Sequence, residues 1–404
     1  MKLAYYPGCS SEGSAIEYDL STKKTAHMLE TDLQELEDWN CCGATSAHNT
    51  NKLLAQSLPA RNLAIAEQNG MDLILAPCAA CYNRLHSTEL AARKDNALRE
   101  QIQEVIDMDF KALTSTISVL EWLDGKVGID NIKAKVTNPL KGMKAACYYG
   151  CLLVRPAGHT GFDDTEDPQS MDRIVQALGA QTVDWPYKVE CCGAALATSR
   201  PEIGAKMIYD VITNAKAAGA ECLVTACPLC MLNLDMRQAG TEKMFKEKLT
   251  LPIYYVTELV AIAGGASPAE VGVGKHFVEA ISYLQSLPTR AAEMEAAEPK
   301  QVKKAAKAKP EESDGTPAAG EDAEALQKKI DAMIKGFNNN PDKMAARLIE
   351  DEEKAKILVE IISGDDKKIA RLAELMVTDK EKATKAADAF ITGELKKREK
   401  ESKG

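Results

Sequence analysis

No stretch of the 404-residue chain is apolar enough to cross a bilayer. The longest weakly polar run, Leu259 to Ala266, falls far short of the ~20 residues a membrane helix needs. The N-terminus, Met1-Lys2-Leu3-Ala4-Tyr5-Tyr6-Pro7, lacks the apolar core of a signal peptide. Basic charge is not in excess: 50 Lys and Arg against 60 Asp and Glu leave a net charge of −10, which argues against a nucleic-acid footprint. There is no Gly-rich Rossmann fingerprint, so neither flavin nor nicotinamide is expected on this chain. A soluble cytoplasmic protein is the expectation these absences leave. With 45% apolar and 27% charged residues the balance is that of a globular chain, and at about 150 residues per domain the length allows two to three domains.

Cysteine, by contrast, is abundant. Twelve are present, and cytosolic proteins rarely keep so many as structural disulfides, which leaves metal sites, redox sites or inert core thiols. Ten of them form an internal repeat. Cys9, Cys41, Cys42, Cys78 and Cys81 are separated by 31, 0, 35 and 2 residues; Cys151, Cys191, Cys192, Cys227 and Cys230 are separated by 39, 0, 34 and 2. Flanking residues repeat as well: Pro7-Gly8-Cys9 against Tyr149-Gly150-Cys151, and Cys41-Cys42-Gly43 against Cys191-Cys192-Gly193.

The surroundings of each Cys-x-x-Cys read as helix, glycine stop and buried strand: Arg61 to Gln68, Gly70, then Met71 to Ala76; Ile208 to Ala218, Gly219, then Cys222 to Thr225. Lys2 to Tyr6 and Lys144 to Tyr149 are the matching first strands. The expected architecture is α/β, with two duplicated cysteine-rich domains, 1–142 and 143–290, forming one head. Each Cys-x-x-Cys then lies where a strand ends and a helix begins, the place where open α/β sheets bind their ligands. From 291 to 322 the composition collapses to Ala, Lys, Glu and Pro, predicting a flexible linker. Beyond it, Leu326, Ile330, Ile334 and Phe337, then Ile357, Leu358, Ile361 and Ile362, then Ile369, Leu372, Leu375 and Met376 fall at helical spacing, predicting an all-α module over 323–404.

Five cysteines per half exceed the four ligands of a tetrahedral zinc or a cubane cluster. The surplus leaves either a spectator thiol or a cluster with more irons to cap, and clustered thiolates suit soft or iron–sulfur centres best. Structural zinc and redox-active dithiols are the alternatives. Cys147 and Cys222, without counterparts in the first half, read as core thiols.

These motifs resemble the B-type subunit of heterodisulfide reductase, a family with a duplicated cysteine-rich domain of the Cys-Cys-Gly type. Tyr6-Pro7-Gly8-Cys9, Trp39-Asn40-Cys41-Cys42-Gly43-Ala44, Ala76-Pro77-Cys78-Ala79-Ala80-Cys81, Gly150-Cys151-Leu152-Leu153-Val154-Arg155-Pro156, Thr160-Gly161-Phe162-Asp163-Asp164, Glu190-Cys191-Cys192-Gly193-Ala194 and Thr225-Ala226-Cys227-Pro228-Leu229-Cys230 carry the resemblance, over about residues 1–290. It implies that each five-cysteine set holds a non-cubane four-iron four-sulfur cluster and that the two clusters face one another across a disulfide substrate. Reduction to two thiols would then proceed by one-electron steps. The implied partners are the family's ferredoxin-like C-type subunit, as direct donor, with the flavin-containing A-type subunit behind it. A relay role in another redox complex, such as one feeding an aromatic acyl-CoA reductase, and a zinc-binding scaffold are the competing readings. Arg155, Arg200 and His159 are candidate contacts for an anionic substrate, weighed against structural ion pairing and solvation. His48 and His86 are candidate proton donors, weighed against ordinary surface or core roles. Lys188 is a weaker candidate, and Lys396-Lys397-Arg398-Glu399-Lys400 is a solvated face or a docking arm.

Overall fold

The computed structural model describes residues 1–44 and 47–297, together with stretches of 333–391. Residues 1–301 form one compact unit and 302–404 another. The first unit carries two four-stranded sheets, every strand pair parallel. In the first lobe the order is β2-β1-β3-β4, with β1 at Lys2–Tyr5, β2 at Asp32–Glu35, β3 at Leu73–Leu75 and β4 at Ser115–Ile117. In the second it is β6-β5-β7-β8, with β5 at Lys144–Tyr148, β6 at Gln181–Thr182, β7 at Cys222–Thr225 and β8 at Ile253–Tyr255. The duplication read from the cysteines is therefore a duplication of the whole sheet. The α/β expectation holds.

Helices cover the strands as the apolar runs require. β7 is buried along its full length, as a parallel strand packed on both faces must be. The helices that the sequence starts at Arg61 and Ile208 begin earlier, as α2 (Lys52–Gln68) and α4 (Pro201–Ala217). α1 is Ile16–Met28 and α3 is Ala79–Lys94. Asn51 caps α2 by accepting from Leu54 N, and Pro201 opens α4; neither signal depends on the apolar period that located these helices. Gly70 and Gly219 end them in the left-handed region, at φ +63° and +84°.

The two lobes share one core. α1 of the first lobe lies against α5 of the second (Val256–Ala263) through small polar residues: Ser21 Oγ is 2.7 Å from Thr257 Oγ1, and Thr25 donates to the Thr257 carbonyl at 2.9 Å. Tyr18 stacks on Tyr255 with ring centroids 4.0 Å apart. His276, which no motif marks, pairs with the buried Glu258 at 2.9 Å.

The expected linker start at 291 is corrected. The helix Ile281–Ala297 runs seven residues past that boundary. Arg290 holds it down by donating to the Gly142 carbonyl at 3.1 Å and pairing with Glu221, and Lys141 reaches Glu295 at 3.2 Å. Ala, Glu and Met are good helix formers, so a helix that is already anchored continues through them. From Glu298 to Asp322 the expected linker lies outside the described residues, as do Leu326, Ile330 and the 396–400 charge run.

In the second unit, Phe337, Leu358, Ile362, Ile369 and Leu372 are buried in one cluster, with Ile334, Ile357, Ile361, Leu375 and Met376 packed against it. Its described helices are Pro341–Ala345 and Glu352–Ile362, the latter capped by Asp351. The spacing that predicts an apolar helical face is realised here.

Candidate functional site

In each sheet the chain leaves β1 or β5 for one neighbour and returns to β3 or β7 on the other side, which makes the carboxyl ends of these strands the switch point of the fold. Cys9 and Cys151 follow the first strand of each lobe, and Cys78 and Cys227 follow the third. Both Cys78 and Cys227 are extended residues that open a helix, at ψ 122°.

The structure brings each quintet together. Cys42 Sγ lies 3.3 Å from Cys81 Sγ, and Cys192 Sγ lies 3.7 Å from Cys230 Sγ. Tyr6 is surrounded by Cys81, Cys42, Cys41 and Cys9, and Tyr148 by Cys230, Cys192, Cys191 and Cys151; burial first, then these thiols, push both phenols up. Cys78 and Cys227 join through hydrogen bonds to Cys81 and Cys230. Each set is buried on one side and open on the other: Cys9 and Cys41 are exposed, Cys151 and Cys191 half-buried, the other six buried. Cys147 and Cys222 are fully buried, and burial pushes both thiols up.

Proton sharing marks which thiols favour the charged form. Hydrogen bonds from Cys41 and then Cys81 lower Cys42, and bonds from Cys151 and then Cys192 lower Cys191. The Gly43 and Gly193 N–H groups donate to Cys41 and Cys191, and Ala44 and Ala194 to the second cysteine of each pair. Each Cys-Cys-Gly turn is thus a small nest of N–H donors aimed at sulfur.

The scaffold around the thiols is duplicated too. Tyr6 donates to the Asn40 carbonyl at 2.8 Å and Tyr148 to the Glu190 carbonyl at 2.6 Å, the residues just before each cysteine pair. Gly8 (φ +72°) and Gly150 (φ +66°) precede the first cysteine of each set. A Cβ there would lie 3.0 Å from Cys81 Sγ and 3.1 Å from Cys230 Sγ. The missing side chains leave room beside the thiols, which suits a bulky inorganic core. Among the described residues no group of three or more His, Cys, Asp or Glu converges as a single metal ion requires.

The other candidates have different places. Arg155 donates from Nε to the Thr165 carbonyl at 3.0 Å and pairs with Glu166 at 2.6 Å, so its guanidinium is committed to the 163–167 loop. Arg200 is exposed at the start of α4, and His159 is exposed on a loop. Lys188 is buried between Asp167 and Asp172, an ion pair within the lobe. The His48 side chain lies outside the described residues. Asp163 caps the helix Ser170–Ala177 by accepting from Gln169 and Ser170, which gives the Thr160 to Asp164 stretch a structural role.

His86 joins the lobes: its Nε2 is 2.5 Å from the His159 carbonyl, and its Nδ1 is 2.9 Å from Glu89. Burial lowers the imidazole's affinity for protons, but Glu89 and the His159 carbonyl more than offset it, so the value ends above 6.5. A raised histidine stabilises the fold below its unfolded value and loses that contribution as pH rises through the folded one. His86→Gln should therefore narrow the gap to the unaltered protein as pH rises above about 6.5, read from urea midpoints at several pH values. A gap that is flat with pH removes the histidine's charge from the account.

Sequence reasoning missed the Tyr6 and Tyr148 supports and Asn233, whose side-chain amide donates to the carbonyls of Cys192 and Ala194. A tyrosine three residues before the first cysteine of both halves was the available signal for the first two.

The cysteine-rich (CCG) domain family matches residues 3–86 and again 145–235. The chain is 34% identical over 282 residues to the 8-methylmenaquinol:fumarate reductase membrane anchor subunit of Wolinella succinogenes, spanning 69% of this chain and 98% of that protein. It is 28% identical over 292 residues to the B-type subunit of the ferredoxin/F420H2-dependent CoB-CoM heterodisulfide reductase of Methanosarcina acetivorans, spanning 71% and 97%. The chain carries the cysteine-rich (CCG) domain twice and has B-type subunits of heterodisulfide reductase among its homologues. A crystal structure of a hypothetical Helicobacter pylori protein shares the fold at 11% identity, with a TM-score of 0.56 over 69% of this chain and 52% of that one. The stretches that the chain shares with these two relatives, 282 and 292 residues, are about as long as the two lobes together. No helix among the described residues is long and apolar enough to cross a membrane.

Proposed function

We propose that this chain is the iron–sulfur subunit of a heterodisulfide reductase-type complex and that both quintets hold clusters. The carrying observation is that two equivalent sets of five thiols gather at the switch points of two parallel sheets, within one packed body. Bound there, iron–sulfur clusters would supply single electrons and Lewis-acidic iron to a disulfide. The overall change is RS–SR′ + 2 e⁻ + 2 H⁺ → RSH + R′SH. The ten cysteines would hold the two centres, Cys-Cys-Gly N–H groups would stabilise ligand charge, and Gly8 and Gly150 would keep the space beside Cys81 and Cys230 open. Five thiols per site would suit a non-cubane four-iron four-sulfur cluster, with both cysteines of each adjacent pair, Cys41-Cys42 and Cys191-Cys192, serving as ligands. Electrons would come from the family's ferredoxin-like C-type subunit, with the flavin-containing A-type subunit behind it, or from homologues of these. Arg200 and His159 remain as proposed contacts for an anionic disulfide, whereas the Arg155 side chain is already paired with Glu166.

Anaerobic purification followed by iron and sulfide analysis, with paramagnetic resonance before and after disulfide addition, tests the reading. Iron and sulfide in comparable amounts and a signal that responds to disulfide are expected. Zinc without iron would sink it. A second reading, an electron-transfer role in a complex that acts on another substrate, is favoured by the Wolinella relative. Clusters that reoxidise with fumarate-type partners and ignore disulfides would select it.

A further inference from the structure

The first cysteine of the second quintet sits on a longer tether than its counterpart. Cys9 lies in a helical turn, Gly8–Ser11, and six residues, Ser10 to Ala15, lead from it to α1. Eighteen residues, Leu152 to Gln169, separate Cys151 from the helix Ser170–Ala177, and this strap includes Gly158 and Gly161. Just before Cys151 the chain is fixed within its own lobe, where Gly150 N donates to the Lys188 carbonyl at 3.1 Å. Just after it, the strap is held by the other lobe.

Three residues of α3, the first-lobe helix that carries Cys81, make that contact. Asn83 Nδ2 donates to the carbonyls of Leu152 and Arg155, both at 3.3 Å. One turn on, His86 Nε2 donates to the His159 carbonyl at 2.5 Å. Tyr82 stacks on His86 and meets Phe162 edge-on, with ring centroids 6.5 Å apart at 80°. Thr160 closes the strap on itself by donating to the Val154 carbonyl at 2.7 Å. Asn83 therefore ties the residue next to Cys151, and His86 ties the far arm of the same strap.

The duplication does not repeat this clamp. Two and five residues past the second Cys-x-x-Cys, where the first lobe has Asn83 and His86, stand Leu232 and Asp235. Leu232 has no donor, and the Asp235 carboxylate accepts from Phe277 N and Val278 N of its own lobe.

We propose that Asn83 and His86 of the first lobe are positioning residues for the second-lobe cluster: they hold the strap so that Cys151 stays in reach as its fifth ligand. The proposal rests on the iron–sulfur reading above, in which Cys151 belongs to the second quintet. Outer partners that orient a ligand govern metal binding nearly as strongly as the ligand itself. The dependence runs one way, from the second centre onto the first lobe.

Asn83→Asp keeps the shape of the side chain but, once ionised, can only accept. His86→Leu removes the contact to the His159 carbonyl, and His86→Gln restores a donor there. Cys151→Ala supplies the signal of a second-lobe centre held by four thiols. Paramagnetic resonance of the cluster-loaded full chain, with the two centres assigned through Cys81→Ala and Cys230→Ala, reads every variant. Asn83→Asp should lose the unaltered second-lobe signal and show that of Cys151→Ala, with the first-lobe signal unmoved. His86→Leu should give a mixture of the two second-lobe signals, and His86→Gln the unaltered one. Thr25→Val, which cuts a different lobe contact, should lower the melting temperature and leave both signals as they are. An unaltered second-lobe signal in Asn83→Asp and His86→Leu alike overturns the proposal, as does a change confined to the first lobe. So does a Cys151→Ala signal that matches the unaltered protein or reappears in Thr25→Val. A chain that binds no iron at all would instead overturn the reading beneath it.

Discussion

Cys81→Ala should leave a protein with roughly half the iron and sulfide of the unaltered chain, its remaining cluster confined to the second lobe, since each centre depends on its own thiolates. Cys230→Ala should do the converse. The basis is the place of these two residues: each is buried, each touches the second cysteine of its adjacent pair, and each faces the glycine that precedes the first cysteine. Either variant should abolish two-electron disulfide reduction, because one centre cannot supply both electrons in a concerted pair of steps. Cys147→Ala and Cys222→Ala are the controls. Both thiols are fully buried within β5 and β7, so iron should be retained in full. Metal analysis of the four variants decides the matter. Full iron in both Cys81→Ala and Cys230→Ala would remove these residues from the clusters.

The second large effect is expected at Gly204→Val. A Cβ on Gly204 would collide with Ala197 Cα and sit 2.7 Å from Ala197 N, so backbone, not a flexible side chain, must move. Gly204 also lies under the Cys191-Cys192-Gly193 turn: Gly193 is at φ +92°, and a Cβ on it would come within 3.2 Å of Gly204 Cα. α4 therefore crosses this turn at a contact between two glycines. Overpacking such a contact costs about 1–3 kcal/mol, and more where backbone must shift. Gly204→Val should lower the melting temperature and release second-lobe iron preferentially. Gly240→Ala, within the helix Gln238–Phe245 where an added Cβ meets nothing, should stabilise by about 0.5–1 kcal/mol. Equal melting temperatures for the two variants would refute the packing argument.

Much of the site was legible because its chemistry sits in short motifs. Cys-x-x-Cys after a β-type run and before a helix places two sulfurs at a strand end by local geometry alone, and the repeated spacing assigns five thiols to each lobe. Helix lengths were less legible, since α2 and α4 start at caps, Asn51 and Pro201, that precede the apolar period. Arg155 shows the limit for side chains. Its spacing from Cys151 suits a substrate fork, but Glu166, 11 residues further on, claims its guanidinium.

By itself the sequence determined the duplication, the α/β class and the two cysteine sets, because those follow from residue type and spacing along one chain. Only the tertiary structure decided that the two Cys-x-x-Cys turns abut and that Tyr18 spans the carbonyls before them. The Tyr18 contact with Ala226 joins residues 208 positions apart, and it arises from how two independently patterned sheets pack through α1 and α5. No local periodicity encodes that docking, which depends on the shapes of whole surfaces.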